Sequence, residues 1–164
     1  HMKTEIKKDW SQIKQYFRRC MKRNMHVAIA SVDENNIPTV TPIGSLFLNN
    51  DQTGFYFEKF ATKLNQSSKR NKNICVLAVN TGMWFWIRSL YKGRFSVYPA
   101  VKLYGELREK REATPNQLRA FQRRLRSTKK LKGHQYLWKD MSQVREIKFI
   151  KAEKINLGIM TKHL

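Results

Sequence analysis

Thr62 and Lys63 are the residues whose types and spacing speak most directly of chemistry, because a hydroxyl and a cation at the start of a helix can hold an anion. They lie in residues 59–73, a stretch with five basic and no acidic side chains. Backbone N–H groups at a helix N-terminus suit a phosphate, and a hydroxyl and an ammonium complete its shell. Taken alone, the segment reads as a capped helix with a solvated lysine. Its place in the chain changes that reading, since it follows a hairpin next to a strand broken by Pro42 and Gly44. Proline donates no ladder bond and glycine has no side chain, so such a strand is bulged, at an edge, or closely approached.

Other chemistry lacks its residues. The chain contains no GxGxxG, GxxxxGK[ST], HExxH or GxSxG pattern. His26, His134 and His163 show no ligand spacing, and His26 opens a strand, a structural position. No metal site is expected. An enzyme without an acid–base set needs a cofactor to carry its reaction. Cys20 and Cys75 are isolated and form no CxxC, which fits a reduced, cytoplasmic protein.

The elements that must position these residues come next. Residues 4–24 read as a helix with Ile6, Trp10, Ile13, Phe17 and Met21 on one stripe and Thr4 as its cap. Residues 26–32 read as a strand, 33–38 as a turn, 39–48 as the interrupted strand, and 54–58 as its return after a turn at 49–54. Residues 74–80, ICVLAVN, form a nearly continuous apolar run, the pattern of a strand buried on both faces. Residues 83–92 read as a short helix or an aromatic loop. Residues 101–112 read as a long strand whose charged half projects into solvent. Thr114-Pro115 starts a helix with Leu118, Phe121 and Leu125 buried and Arg119, Arg123 and Arg126 opposite. Residues 144–159 close the chain as a strand, alternating apolar and charged from Val144 to Ile150. Runs of strands with few helices argue for α+β on an antiparallel sheet or barrel.

Composition sets the frame. The 164 residues are expected to make one domain over 3–164, with His1 and Met2 a cloning remnant, and to bury roughly 70% of the unfolded surface. No apolar run approaches the ~18 residues of a membrane span, and the charged N-terminus does not read as a secretory signal. With 33 basic and 12 acidic residues the net charge is +21, which attracts polyanions: nucleic acid, an acidic membrane surface or a phosphorylated small molecule. The plainer reading is a solvated, mutually repelling surface.

The stretch IPTVTPIG, then GFYFEKFATK, then NICVLAVN, followed by VKLYGEL, resembles the pyridoxamine 5'-phosphate oxidase-like family of FMN-binding split barrels. The likeness runs in order and spacing over residues 10–150. It implies an α+β, mainly β fold: an antiparallel six- to seven-stranded split β-barrel with flanking helices, in a homodimer holding FMN at its interface. Carried over, Thr41, Ile43, Gly44 and Ser45 would edge the flavin ring. Glu58, Lys59 and Phe60 would border ribityl and ring, and Thr62 and Lys63 would stand at the phosphate. The family's Ser-Arg-Lys is Thr62-Lys63-Leu64 here, and Thr41 stands where the oxidase carries Arg. Both departures speak against oxidase activity on a pyridoxine vitamer. Trp84, Trp86 and Arg88 read either as a lid over the flavin or, preferred, as a dimer-interface plug. Trp138 and Arg145 fall where the family has a Trp and an Arg near the partner's flavin.

Three functions follow. The first is an FMN-dependent oxidoreductase that passes hydride through flavin N5, with a nicotinamide or small organic substrate. The second is a flavin-, heme- or ligand-binding module without turnover. The third, ranked last, is a basic nucleic-acid-binding protein using the seven basic residues of 119–132. No membrane is placed among the partners.

Overall fold

The computed structural model describes residues 5–58, 71–126 and 142–164. Seven antiparallel strands are β1 (Val27–Val32), β2 (Pro38–Ile43), β3 (Phe47–Leu48), β4 (Thr53–Phe57), β5 (Asn73–Val79), β6 (Ala100–Glu112) and β7 (Gln143–Lys154). They form one sheet in the order β2-β1-β5-β6-β7-β4-β3. The described helices are α1 (Ile6–Asn24), α2 (Met83–Lys92) and α3 (Pro115–Arg124), followed by a 3₁₀ turn at Gly158–Thr161. The sheet curls without closing, as expected of a split barrel.

The main core lies on the concave side. Trp10, Ile13, Phe17 and Met21 of α1 pack on Ile29, Val76, Leu103, Ile147 and Phe149. α1 is tied across the fold by the Trp10 indole, which donates to the Asn49 carbonyl at 2.6 Å. A second cluster covers the opposite face of β4: Phe55, Phe57 and Val144 meet Phe121 and Leu125 of α3. The rings of Phe57 and Phe121 stack at 4.5 Å between centroids. β4 is therefore buried on both faces, Tyr56 inward and Phe55 and Phe57 outward.

Three expectations need correction. β5 alternates rather than being buried throughout: Ile74, Val76 and Ala78 are buried, while Cys75, Leu77 and Val79 are only half-buried. One face of an antiparallel sheet can stay uncovered, and an apolar run does not reveal which. The N-cap of α1 is Glu5 with no side-chain cap, so Thr4 is not the capping residue. The last strand ends at Lys154, not Ile159. Gly158 there takes φ +65°, and the Asn156 carboxamide oxygen accepts from both the Gly158 N–H and the Thr161 hydroxyl, which folds the chain into a turn.

Other expectations hold in detail. β2 is an edge strand, which accommodates Pro42. The extended run breaks at residues 44–46, between β2 and β3. Thr114 caps α3 in a reciprocal box with Gln117, and Pro115 follows it. The aromatic stretch at 83–92 is a helix.

Candidate functional site: the split beside Ser45

At the split, residues 44–46 carry the chain from β2 to β3. Ser45 is buried there and closes the gap with one hydroxyl. Its Oγ accepts from the Phe57 N–H at 3.0 Å and donates to the Phe57 carbonyl at 3.3 Å. The crossing is thus pinned to the end of β4, immediately before Glu58. Gly44 keeps close company with the end of α1, since a Cβ on it would stand 3.0 Å from the Met25 carbonyl oxygen.

Glu58 follows with a side chain only 4% exposed. Its Oε2 accepts from Arg145 Nη2 at 3.2 Å and lies 3.7 Å from Lys110 Nζ. The Tyr56 hydroxyl donates to Oε1 at 3.5 Å. Register explains the meeting. Tyr56 pairs with Arg145 across β4 and β7, and Arg145 pairs with Lys110 across β7 and β6. Directly paired residues share a face. Between Leu107 and Lys110 the β6 register slips by one residue, which turns Lys110 onto the face of Leu107. Arg145 Nη1 donates to the Arg108 carbonyl at 3.1 Å within that bulge. Burial, and then the charge of Glu58, push the Tyr56 phenol well above its ordinary range, so it stays a protonated donor.

A cavity of about 610 Å³ opens beside the crossing. Gly44 and Phe47 line it together with Phe17 and Met21 of α1, and its cations are Lys14, Arg18, Lys22, Arg123 and Arg124. Among the described residues, no carboxylate lines it. Arg124 donates to the carbonyls of Leu46 and Gly44, and its guanidinium stands 3.5 Å from the centroid of the Phe47 ring. Desolvation, with repulsion from Arg18, lowers its pKa to about 10. A flat anion with an apolar body suits such a lining.

The structure brings Ile43, Gly44, Ser45, Glu58 and Arg145 to one end of the split. Thr41, half-buried on β2, leads into it. Lys59, Phe60, Thr62, Lys63 and Trp138 lie outside the described residues. Trp84, Trp86 and Arg88 sit on α2, and no contact among the described residues joins them to Ser45 or Glu58. Trp86 turns inward: its indole donates to the Asn80 carbonyl at 2.5 Å and meets Phe95 edge-on at 5.2 Å. Trp84 is 72% exposed.

Sequence reasoning missed Lys110 and Arg124. Lys110 belongs to a strand half read as solvent-projecting, and only the bulge turns it inward. Arg124 is hidden in a basic run, although its place three residues after Phe121 on a capped helix points it toward the sheet.

No family model and no curated protein matches the chain. Solved structures do. An FMN-binding protein from Syntrophomonas wolfei superposes with a TM-score of 0.57 at 16% identity, covering 90% of this chain and 97% of that one. A candidate pyridoxamine 5'-phosphate oxidase from Lactobacillus delbrueckii gives 0.52 at 16% identity, over 92% and 93%. HutZ, the heme storage protein of Vibrio cholerae, gives 0.52 at 8% identity, over 86% and 93%.

Proposed function

We propose that this chain, whose fold is that of the pyridoxamine 5'-phosphate oxidase-like and FMN-binding split barrels, is an FMN-binding member of that family, as the resemblance in the sequence implies. The flavin edge would lie on Thr41 and residues 43–45, the ribityl and ring would border Glu58, Lys59 and Phe60, and the phosphate would sit at Thr62 and Lys63. The observation that carries the reading is the Ser45 bridge to Phe57. It holds the crossing against the end of β4, immediately before Glu58.

The donor set suits FMN. Gly44 lines the neighbouring cavity, which carries five cations for an anionic ligand. Bound there, the flavin would supply hydride exchange at N5 with a nicotinamide or a small organic partner. The residues of the chain bind and orient. Ser45 fixes the crossing, Glu58 and Arg145 neutralise each other just past the end of β4, and Phe47 and Arg124 close one wall of the cavity.

A second copy completes the proposal. On the convex face Pro42, Ala28 and Leu77 form one cross-strand row, and Val40, Ala30 and Cys75 the next. Over β2, β1 and β5 these rows carry no charge, before they run on to Lys102 and Tyr104 of β6, and Val40 is 70% exposed. Two such faces of small and apolar side chains can meet closely, as in homodimer interfaces. The unpaired thiols of Cys20 and Cys75 fit a reduced, cytoplasmic setting.

Titrating FMN with protein and following its fluorescence tests the reading. Quenching with micromolar-scale affinity is expected, weakened by Ser45→Ala, and no quenching at any protein concentration overturns it. A second reading, binding without turnover, is favoured by the engagement of Glu58 with Arg145 and Lys110, which leaves its carboxylate no evident proton-transfer duty. Flavin reduction by NADH or NADPH separates the two readings.

A further inference from the structure

Among the described residues, α2 is held from one side. Phe85 stacks on Phe95 at 5.6 Å, Trp86 meets the same ring, and the Ser89 hydroxyl donates back to the Phe85 carbonyl. Phe95 is itself buried, with its N–H on the Met160 carbonyl and His163 Nε2 within 2.6 Å of its own carbonyl. These contacts fix which face of the helix looks outward.

That outward face is apolar. Met83, Trp84, Ile87, Leu90 and Tyr91 recur at helical spacing along one side, and all are exposed, Tyr91 by 91%. A single exposed leucine is ordinary, whereas five large apolar side chains on one helical face mark a docking surface. Beside them lies a bowl of about 690 Å³ lined by Trp84 together with Arg23, Arg88, Lys92, Arg94 and His163. Among the described residues no carboxylate lines it, and the sequence has no acidic residue between Glu58 and Glu106.

We propose that α2 docks the protein on an anionic lipid surface, with its apolar stripe lying in the interface and the bowl taking acidic headgroups. The occupant must be apolar and negatively charged at once. A second copy seated on this face would set one arginine rim against another. A nucleic acid would satisfy the cations and leave the stripe in water. An anionic bilayer satisfies both, since Trp and Tyr settle at headgroup depth and surface Lys and Arg are drawn to its negative potential. A ten-residue helix is only about 15 Å long, and no described helix is long and apolar enough to cross a membrane. The contact is therefore peripheral. The sequence reading placed no membrane among the partners because the residues of 83–92 do not show, by themselves, which of them face out.

Co-sedimentation of the full chain with vesicles of phosphatidylcholine and phosphatidylserine, against phosphatidylcholine alone, tests the inference. Binding to the mixed vesicles only is expected. Ile87→Glu with Leu90→Glu should lower it by roughly tenfold or more while the thermal midpoint stays put. Replacing Arg88, Lys92 and Arg94 by Gln should also weaken it and flatten its salt dependence. Four results overturn the idea: no vesicle binding; equal binding to both vesicle types; wild-type binding by the double Glu variant; or conversion of a dimer to monomer by that variant in light scattering. Duplex DNA binding that the double Glu variant loses, without vesicle binding, would assign the surface to nucleic acid instead.

Discussion

Glu58 is the residue whose replacement should be felt most. Its carboxylate is buried between Arg145, 11% exposed at the side chain, and the more open Lys110. Removing one member of a buried pair leaves the other desolvated and uncompensated, which costs about 3 kcal/mol. Glu58→Gln keeps the shape and the hydrogen-bonding capacity but removes the charge. A loss of that order in urea denaturation is expected, and a loss within about 0.5 kcal/mol, the range of an ordinary surface change, would show that water already screens the pair. Adding Arg145→Met should recover part of the loss, because the stranded cation goes with it. Tyr56 bears on the same point. Its phenol, held protonated by burial, has the Glu58 carboxylate as its acceptor.

At the scale of elements, β6 and β7 decide the site. Their register slips twice, at Tyr104/Gly105 and at Leu107/Lys110. The first slip lies at Gly105, where a Cβ would stand 2.7 Å from the Lys148 carbonyl oxygen and 3.0 Å from Ile147. A backbone oxygen cannot step aside cheaply, so Gly105→Ala should destabilise by about 1–3 kcal/mol, read from the denaturation midpoint. An unchanged midpoint would mean that the two strands separate there at little cost. These slips mark the boundary of what the sequence could reveal. Alternation made β7 legible, β-branched and aromatic runs between turn clusters marked β1, β2 and β4, and Thr114-Pro115 announced α3. Periodicity carries no sign of an inserted residue, so Lys110 read as a solvated charge. The pairing of Glu58 with Arg145 spans 87 positions and arises only when β4 and β7 become neighbours. The continuous run of β5 concealed the difference between its two faces for the same reason: apolar residues do not state what covers them. The phosphate residues Thr62 and Lys63, the first signal in the sequence, lie outside the described residues.

For the whole molecule, charge is the dominant quantity. With +21 on 164 residues, folding brings like charges together, most densely around the cavity of Lys14, Arg18, Lys22, Arg123 and Arg124. Self-repulsion of this kind opposes the compact state and is screened by salt, whose Debye length falls from about 30 Å at 0.01 M to about 8 Å at 0.15 M. The attractive pairs respond less. Glu58 is buried against Arg145, while the exposed pair of Lys151 with Glu153, at 3.8 Å, is worth little in any case. Net repulsion should therefore dominate, and the thermal midpoint should rise with sodium chloride over that range. The Arg18→Gln variant should be more stable than the parent at low salt and should gain less from added salt, because Arg18 repels Arg124 across the cavity. A midpoint that falls with salt in both proteins would mean that attractive pairs outweigh the repulsion. A site free of ligand would then hold its cations at no cost to the fold, and the basic lining of the cavity would lose its force as an argument for an anionic occupant.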